Sequence, residues 1–227
     1  MPDDTGAKKG VVTTEEPNRA QQVTARRVAE AKAIVPEFTI AAEVDMEAAV
    51  AVHAQREATY TDLIVKAAAL ALREVPRANG AYRDGRFELY GRVNVGVAVS
   101  GENGLFFPTI FDADEKDLAT IGSELRGLAE RARAGVITSQ EVSGGTFTVS
   151  NLGMHGVTEL EPVINHPQAA ALAAGAIRRL PRVVDDAIVP RHVLALTLVC
   201  DHRILYGTDA ARFLARIRHH LEDPAAL

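Results

Sequence analysis

The sequence predicts an α/β protein, a two-layer sandwich in which helices pack on a mixed β-sheet. Three observations support this fold class. Short apolar runs rich in valine, such as residues 93–99 and 193–199, alternate along the chain with stretches of helical periodicity. Between residues 115 and 134, apolar side chains recur every three or four positions, and Gly135 follows as a helix cap. The Asp84-Gly85 pair is typical of a tight hairpin, which makes part of the sheet antiparallel.

The elements follow from local signals in chain order. Residues 1–16 are polar and are expected to form a mobile arm, whereas residues 17–227 are expected to form one domain. Pro17 opens the first predicted helix, Thr61-Asp62 precede another, and Pro36 and Pro76 end them. Helices are predicted over residues 17–34, 47–55, 63–74, 115–134 and 208–221, and strands over residues 38–46, 81–83, 86–90, 93–99, 105–111, 146–149, 169–177 and 193–199.

Composition narrows the classes of function. The net charge is -5 and no block of lysine and arginine is present, so neither nucleic acid nor an anionic membrane is expected as the main partner. The apolar runs are too short to span a bilayer. The chain has one cysteine, so it forms no internal disulfide, and its start lacks the pattern of a signal peptide. These features predict a cytoplasmic protein. A metal site is not expected, because no His-Glu-x-x-His or Cys-x-x-Cys spacing occurs.

The main candidate for catalysis lies near the C-terminus. The strand predicted over residues 193–199 ends at Asp201-His202-Arg203, just before Gly207 and a helix. An imidazole both accepts and releases a proton near neutral pH. The charged neighbours Asp201 and Arg203 can fix its surroundings through hydrogen bonds. The alternative for a lone histidine is a structural role satisfied by the backbone.

Two motifs at a fixed mutual distance favour catalysis. The heptapeptide from Asp201 to Gly207 resembles the Asp-His-Arg-x-x-Asp-Gly signature of the catalytic domain of 2-oxoacid dehydrogenase acyltransferases, the E2 cores, whose fold is similar to chloramphenicol acetyltransferase. Residues 144–153 resemble the second motif of that family, which contains Ser150. Further matches make the resemblance colinear over residues 18 to 223.

The resemblance implies a mechanism and an assembly. His202 would act as the general base, and Ser150 would donate a hydrogen bond to the oxyanion without forming an acyl-enzyme. Family members place these two residues on different subunits of a trimer, so a homotrimer or a cage of trimers is expected. No covalently bound cofactor is expected, and acetyl-CoA or CoA would be a substrate. Asp201 and Arg203 would support the site, and Asn151, beside Ser150, is expected to contact substrate.

This sequence departs from the family pattern at two places. Tyr206 stands where most members have Asp, and a tyrosine hydroxyl hydrogen-bonds without carrying a charge near neutral pH. We interpret Tyr206 as a variant site-supporting residue. Phe106 and Phe107 replace smaller aliphatic residues of the family, which predicts either a reshaped acceptor channel or ordinary core filling.

Three functions are compatible with these residues. The favoured one is an acetyl-CoA-dependent acyltransferase with a small-molecule hydroxyl acceptor, such as a tetronate-type natural product, because no lipoyl domain precedes residue 17. The second is the dihydrolipoyl acetyltransferase core of a 2-oxoacid dehydrogenase complex. The third is a non-catalytic trimeric scaffold, which the presence of both His202 and Ser150 disfavours.

Overall fold

The structure, a computed structural model, describes residues 10–55, 58–101 and 104–227. Part of the predicted arm, residues 1–9, therefore lies outside the described residues. Residues 10–16 are exposed and contain neither helix nor strand.

The described residues form five α-helices, eleven β-strands and three short 3₁₀ turns. The helices are α1 Arg19–Ile34, α2 Glu47–Gln55, α3 Tyr60–Glu74, α4 Leu118–Arg133 and α5 Gly207–Glu222. The strands are β1 Glu37–Asp45, β2 Gly80–Arg83, β3 Arg86–Leu89, β4 Val95–Val97, β5 Val99–Gly101, β6 Gly104–Phe106, β7 Thr109–Ile110, β8 Phe147–Asn151, β9 Ala170–Ala174, β10 Arg178–Val184 and β11 Ala187–Asp201. The 3₁₀ turns are Pro76–Ala78, Gly153–His155 and Pro224–Ala226.

Two helices begin at different caps from those predicted. Asn18, not Pro17, caps α1, and its side chain accepts a hydrogen bond from the amide of Gln21. Thr59 caps α3 and exchanges side-chain hydrogen bonds with Asp62, whose carboxylate accepts from the Thr59 amide at 2.7 Å. Both are reciprocal capping boxes, which satisfy two amides that helix geometry leaves free.

Seven strands form one mixed sheet, as predicted. The order is β1-β11-β9-β8-β4-β7, and β10 pairs with the first half of β11. The pairs β8/β9 and β4/β8 are parallel, and the other pairs are antiparallel. The hairpin β2/β3 forms a separate two-stranded sheet, and its turn residues Asp84 and Gly85 have φ of 48° and 77°. Both values match the predicted turn type.

The two faces of the large sheet have different environments. On one face, Leu194, Leu196 and Leu198 of β11 belong to a core shared with α2, α3, α4 and α5. Phe147 of β8 packs edge-on against Phe213 of α5 at 5.5 Å between ring centroids. Because side chains alternate along a strand, Thr197 and Ser150 lie on the opposite face, which we call the outer face. The arrangement confirms the predicted two-layer class.

Two strands predicted as continuous are interrupted. Residues 93–99 divide at Ala98 into β4, which joins the large sheet, and β5, which pairs with β6 against α4. Residues 105–111 divide into β6 and β7 around Phe107 and Pro108. Proline has no amide hydrogen, so Pro108 cannot continue a ladder of backbone hydrogen bonds. Its carbonyl instead accepts from the amide of Val97 at 2.9 Å.

The strand β10 was absent from the predicted elements. Its residues include three arginines and Pro181, which do not have the composition of a buried strand. The strand lies at an edge and pairs only with β11, where Pro181 faces Pro190. Proline is compatible with such an edge position.

Over the described ranges, no helix combines the length and apolar character that crossing a membrane requires.

Candidate active site

His202 directly follows the end of β11. Its amide donates to the carbonyl of Pro36 at 3.0 Å, which continues the pairing of β11 with β1 by one residue. The side chain is exposed. Its ring lies 4.7 Å from that of Phe38 and 5.9 Å from that of Tyr206, measured between centroids. The backbone of the sheet thus fixes where the histidine leaves the strand, and two aromatic rings lie close to its imidazole.

The turn that carries His202 is held by the ion pair of Asp201 and Arg203. Asp201 is 1% exposed, and its carboxylate accepts from the Arg203 amide at 2.9 Å. Nε and Nη2 of Arg203 donate to the same carboxylate at 2.9 and 2.8 Å, and the guanidinium lies 4.8 Å from the centroid of Tyr82. The hydrogen bonds to Asp201 hold the pKa of Arg203 above its ordinary value. The side chains on both sides of His202 are therefore used to shape its loop.

Tyr206 is the N-cap residue of α5, without a side-chain hydrogen bond to the helix, and is 47% exposed. Its position next to the imidazole is compatible with the predicted supporting place in the site.

Ser150 lies in the middle of the sheet. It belongs to β8, where it is paired with Ala173 of β9 and is half-buried. Phe147 and Val149 of the same strand face the helices, so Ser150 and Thr148 point to the outer face. Thr148 donates to Gln168 at 2.7 Å, which covers that part of the face.

Asn151, predicted to contact substrate, is engaged in holding the end of β8. Its amide nitrogen donates to Oγ1 of Thr61 in α3 at 3.0 Å, and its oxygen accepts from the amide of Gly153 at 2.8 Å. The geometry gives this side chain a structural task, which ties the residue after Ser150 to the start of α3.

Close backbone packing fixes the loop after Ser150. A Cβ atom on Gly153 would lie 2.5 Å from the carbonyl oxygen of Gly175, and one on Gly175 would lie 1.9 Å from that of Thr158. Neither distance is possible for a side chain, so three backbone segments can stack at this point only with glycine at both positions. The motif pointed to Gly153, but nothing in the sequence marked Gly175.

Within one chain Ser150 and His202 do not meet. Ser150 lies opposite Ala173, and Ala173 lies opposite Thr197 of β11, so Ser150 is two strands away from β11. His202 follows Thr197 by five residues along β11. At ~3.3 Å per residue and ~4.8 Å per strand, the two side chains are roughly 15–20 Å apart. A reaction that needs both groups therefore needs Ser150 from a second copy of the chain.

The two neighbouring phenylalanines point to different environments. Phe106 packs against Val99, Ala129 and Ala132, on the side of α4. A Cβ atom placed on Gly96 would lie 3.7 Å from Oγ1 of Thr148, whose side chain points to the outer face, and 3.8 Å from Cβ of Phe107. Phe107 therefore also lies on the outer face. The position of Phe106 favours core filling, whereas Phe107 lies near the Ser150 side of the sheet.

The outer face also has an open cleft of about 390 Å³. Its lining residues are Thr39, Glu159, Leu160, Glu161 and Thr197. None of the predicted site residues lines it. Within the described ranges, no group of three or more His, Cys, Asp and Glu side chains could hold a metal ion.

Cys200 lies two residues before His202 but faces the helices. Burial raises the pKa of its thiol to about 12, so the thiol stays protonated. It is not a candidate nucleophile, because the reactive species of cysteine is the thiolate.

Comparison with known structures first confirms the fold. A solved chloramphenicol acetyltransferase aligns over 86% of this chain and 94% of its own with a TM-score of 0.55 at 15% identity. The identity is too low to show more than the shared fold. Residues 9–227 match the family described as 2-oxoacid dehydrogenases acyltransferase (catalytic domain). The chain therefore belongs to this family.

Several proteins that are similar to this chain are acetyltransferase components of pyruvate dehydrogenase complexes. The dihydrolipoyllysine-residue acetyltransferase component of the pyruvate dehydrogenase complex of Zymomonas mobilis is 36% identical over 216 residues, which is 91% of this chain and 49% of that protein. This chain thus spans about half the length of the curated relatives that it matches. The solved cubic core of a pyruvate dehydrogenase multienzyme complex is 30% identical, with a TM-score of 0.95 over 100% of this chain and 98% of its own.

A third similar structure is the dihydrolipoamide acetyltransferase of Azotobacter vinelandii. It is 31% identical, with a TM-score of 0.91 over 100% of this chain and 98% of its own. In that protein a serine, a histidine and an asparagine were studied for their role in the catalytic mechanism. Its serine precedes its histidine by 52 residues, and the asparagine follows the histidine by four. The same intervals connect Ser150, His202 and Tyr206 in this chain, so a tyrosine occupies the place of the asparagine.

Proposed function

We propose that this chain is the catalytic domain of a dihydrolipoyllysine-residue acetyltransferase, which transfers an acetyl group between CoA and a dihydrolipoyl thiol. One observation carries the proposal. The intervals of Ser150 and His202 equal those of the studied serine and histidine of the Azotobacter vinelandii acetyltransferase, within a fold that matches it over the whole chain.

The comparisons favour this acceptor over the small-molecule hydroxyl that the sequence alone favours. Dihydrolipoyllysine-residue acetyltransferases recur among the similar proteins. The relatives reported above are named for a dihydrolipoyllysine residue and not for a tetronate-type acceptor. The retained pair Ser150 and His202 argues against the third alternative, a scaffold without activity.

The proposed mechanism uses two side chains of this chain. His202 takes the proton of the attacking thiol, whose sulfur then adds to the thioester carbonyl. Ser150 of the partner subunit donates a hydrogen bond to the oxyanion. The bond from the carbonyl carbon to the leaving sulfur breaks, and the imidazolium returns its proton to the leaving thiolate. CoA and the dihydrolipoyl group are both substrates, so the mechanism requires no bound cofactor.

The separation within one chain supports an assembly that completes the site. A ring of subunits in which each His202 meets the Ser150 of the next copy gives one site per subunit. A trimer, alone or as the unit of a larger cage, has this arrangement. The alignment of this chain with a cubic core supports a cage for this chain as well.

Substrate specificity tests the proposed activity. The protein is incubated with acetyl-CoA and either dihydrolipoamide or a panel of small hydroxyl compounds, and the released CoA is separated from the other thiols and measured by chromatography. We expect turnover with dihydrolipoamide and none with the hydroxyl compounds. Turnover with a hydroxyl acceptor alone would restore the alternative, and no turnover with any acceptor would favour the scaffold.

Subunit mixing tests the shared site. Ser150→Ala and His202→Ala proteins are unfolded, mixed in equal amounts and refolded together. Each variant supplies the group that the other lacks, so random assembly returns about a quarter of the wild-type activity. Each variant refolded alone is the control and should keep about 1% of the wild-type activity or less. If the mixture is no more active than the controls, the two groups act within one chain and the proposed assembly is wrong.

A further inference from the structure

Arg77 lies close to the His202 loop, although no motif pointed to it. It belongs to the 3₁₀ turn Pro76–Ala78 that follows α3. Its guanidinium carbon is 5.1 Å from the ring centroid of Phe87 and 5.9 Å from that of Tyr206. Its Nη1 is 3.7 Å from Oδ2 of Asp209 in the first turn of α5. One arginine thus connects the β2/β3 hairpin, the cap of α5 and its first turn.

Tyr206 depends on such contacts for its orientation. It is 47% exposed and makes no capping hydrogen bond with its side chain. The ring contacts of Tyr206 are with His202, at 5.9 Å between centroids, and with the guanidinium of Arg77. A half-exposed tyrosine with a free rotamer would spend part of its time turned toward solvent, away from the imidazole.

We propose that Arg77 is a positioning residue of this site, which holds the ring of Tyr206 against His202. A cation is attracted to the face of an aromatic ring within about 6 Å. A planar guanidinium stacks on rings better than an ammonium does, so it can contact both Phe87 and Tyr206. Asp209 fixes the guanidinium from a third direction. Together with Phe38, the imidazole then has two aromatic neighbours.

The expected effect follows from the strength of the contact. An exposed cation-π contact changes the equilibrium constant between the held and the released orientation by about two- to fivefold. Arg77→Gln should therefore lower kcat by about two- to fivefold and leave both KM values within about twofold, because Arg77 does not touch substrate. The kinetic part of the inference rests on the proposed acetyl transfer.

The kinetic experiment compares four proteins with the wild type. Arg83→Gln is the matched control, because Arg83 is also half-exposed, belongs to the β2/β3 hairpin and pairs with Glu88 at 3.6 Å. It should retain wild-type kcat. The other three are Arg77→Gln, Tyr206→Asn and the double variant. If Arg77 acts through Tyr206, the loss caused by Arg77→Gln disappears when Tyr206 is already Asn.

A second measurement does not depend on acetyl transfer. Diethyl pyrocarbonate modifies exposed histidines, and tandem mass spectrometry gives the rate at each one. Releasing the ring of Tyr206 uncovers one side of His202, so Arg77→Gln should raise the rate at His202 at least about twofold. His219, exposed on α5, is the internal reference and should react at an unchanged rate. Arg83→Gln should change neither rate.

The outcomes separate this inference from the proposed function. An unchanged rate at His202 in Arg77→Gln overturns the inference, whatever the enzyme does. A loss of the same size in the Tyr206→Asn background, or a rise in KM with kcat unchanged, also overturns it, since Arg77 would then act on substrate directly. If the wild type transfers no acetyl group, the proposed function fails and the modification rates alone decide the role of Arg77.

Discussion

The two ends of the proposed site are built in different ways. Ser150 is fixed by backbone: it lies inside a parallel strand pair, and the loop after it is locked by Gly153 and Gly175. The backbone of His202 is tied to β1 by its hydrogen bond to Pro36, but the contacts of its loop and its imidazole are with side chains, namely the Asp201–Arg203 pair and the rings of Phe38 and Tyr206. An oxyanion donor works best when it does not move, whereas a base that takes and returns a proton must meet two different sulfurs. The comparison explains why backbone packing holds Ser150, whereas side chains surround the imidazole of His202.

The largest effect should come from removing the proposed base, His202. His202→Ala should lower kcat about 10²–10⁴-fold, because proton transfer to a positioned base is lost. Ser150→Ala should lower it by about 10²–10³-fold, the usual cost of one oxyanion donor. Neither variant should change the melting temperature much, and His219→Ala is the control for losing an exposed imidazole. Near-normal turnover of His202→Ala would refute the assignment of the base.

The next largest effect is expected from Asp201→Asn, which should destabilise the turn that carries His202. The change leaves Arg203 without its buried carboxylate, which costs about 2–3 kcal/mol of unfolding free energy. Urea unfolding at fixed protein concentration measures the loss, and kcat should fall with KM little changed. Glu43→Gln, which breaks the exposed pair with Arg182, should cost less than about 1 kcal/mol. Equal small losses in both variants would show that Asp201 does not hold the turn.

The two phenylalanines give a smaller, paired effect. Phe107→Val should change the KM for the acceptor by about threefold or more, because Phe107 lies on the outer face near Ser150. Phe106→Val should instead cost about 1 kcal/mol of stability and leave acceptor preference unchanged, because this ring fills the cluster under α4. An exchange of these two results would reverse the placement of the rings and restore Phe106 as a channel residue.

The smallest expected effect is the pH dependence of stability that Glu74 causes, away from both Ser150 and His202. Glu74 of α3 receives hydrogen bonds from Arg216 and His220 of α5. Burial alone would raise the pKa of Glu74, but these partners hold it below the ordinary value of 4.5. Since the pKa is lower in the folded state, the carboxylate stabilises the fold above pH 4.5 and loses this effect as pH falls through its folded pKa.

The size of that effect is small, because Glu74 is about a third exposed and its charge is screened by solvent. Glu74→Gln should cost under about 1 kcal/mol at neutral pH and nothing in acid. Urea unfolding at a series of pH values measures the difference between variant and wild type. A difference that grows as pH falls would contradict a lowered pKa of Glu74 in the folded state.

The sequence predicted the main architecture because its signals were local. Helical periodicity, hairpin residues and the two motifs were readable without tertiary structure, and the positions of α4, β8 and α5 followed from them. The strand β10 was missed because its pairing with β11, and not its composition, makes it a strand. The break at Ala98 depends on which partner strand each half meets, and the sequence does not show those partners.

The site was predictable only to the level of its motif residues. The number of residues between Ser150 and His202 can be counted in the sequence. The distance in space between the two side chains within one chain depends instead on the order of the strands in the sheet. The sequence predicted that Asn151 contacts substrate, but it could not show the hydrogen bonds that the Asn151 amide makes with Thr61 and Gly153. Arg77 could not be singled out, because the contacts of its guanidinium are with residues that the chain brings together from β3 and α5.

The protonated thiol of Cys200 has a practical consequence for a protein proposed to handle thioesters. A surface thiolate would exchange with them and scramble acyl groups onto the protein itself. Cys200 is the single cysteine of this chain, and it is buried under the helices two residues before His202. In its folded state this chain should consequently stay free of self-acylation and mixed disulfides, and should add no reactive thiol of its own to a reaction mixture.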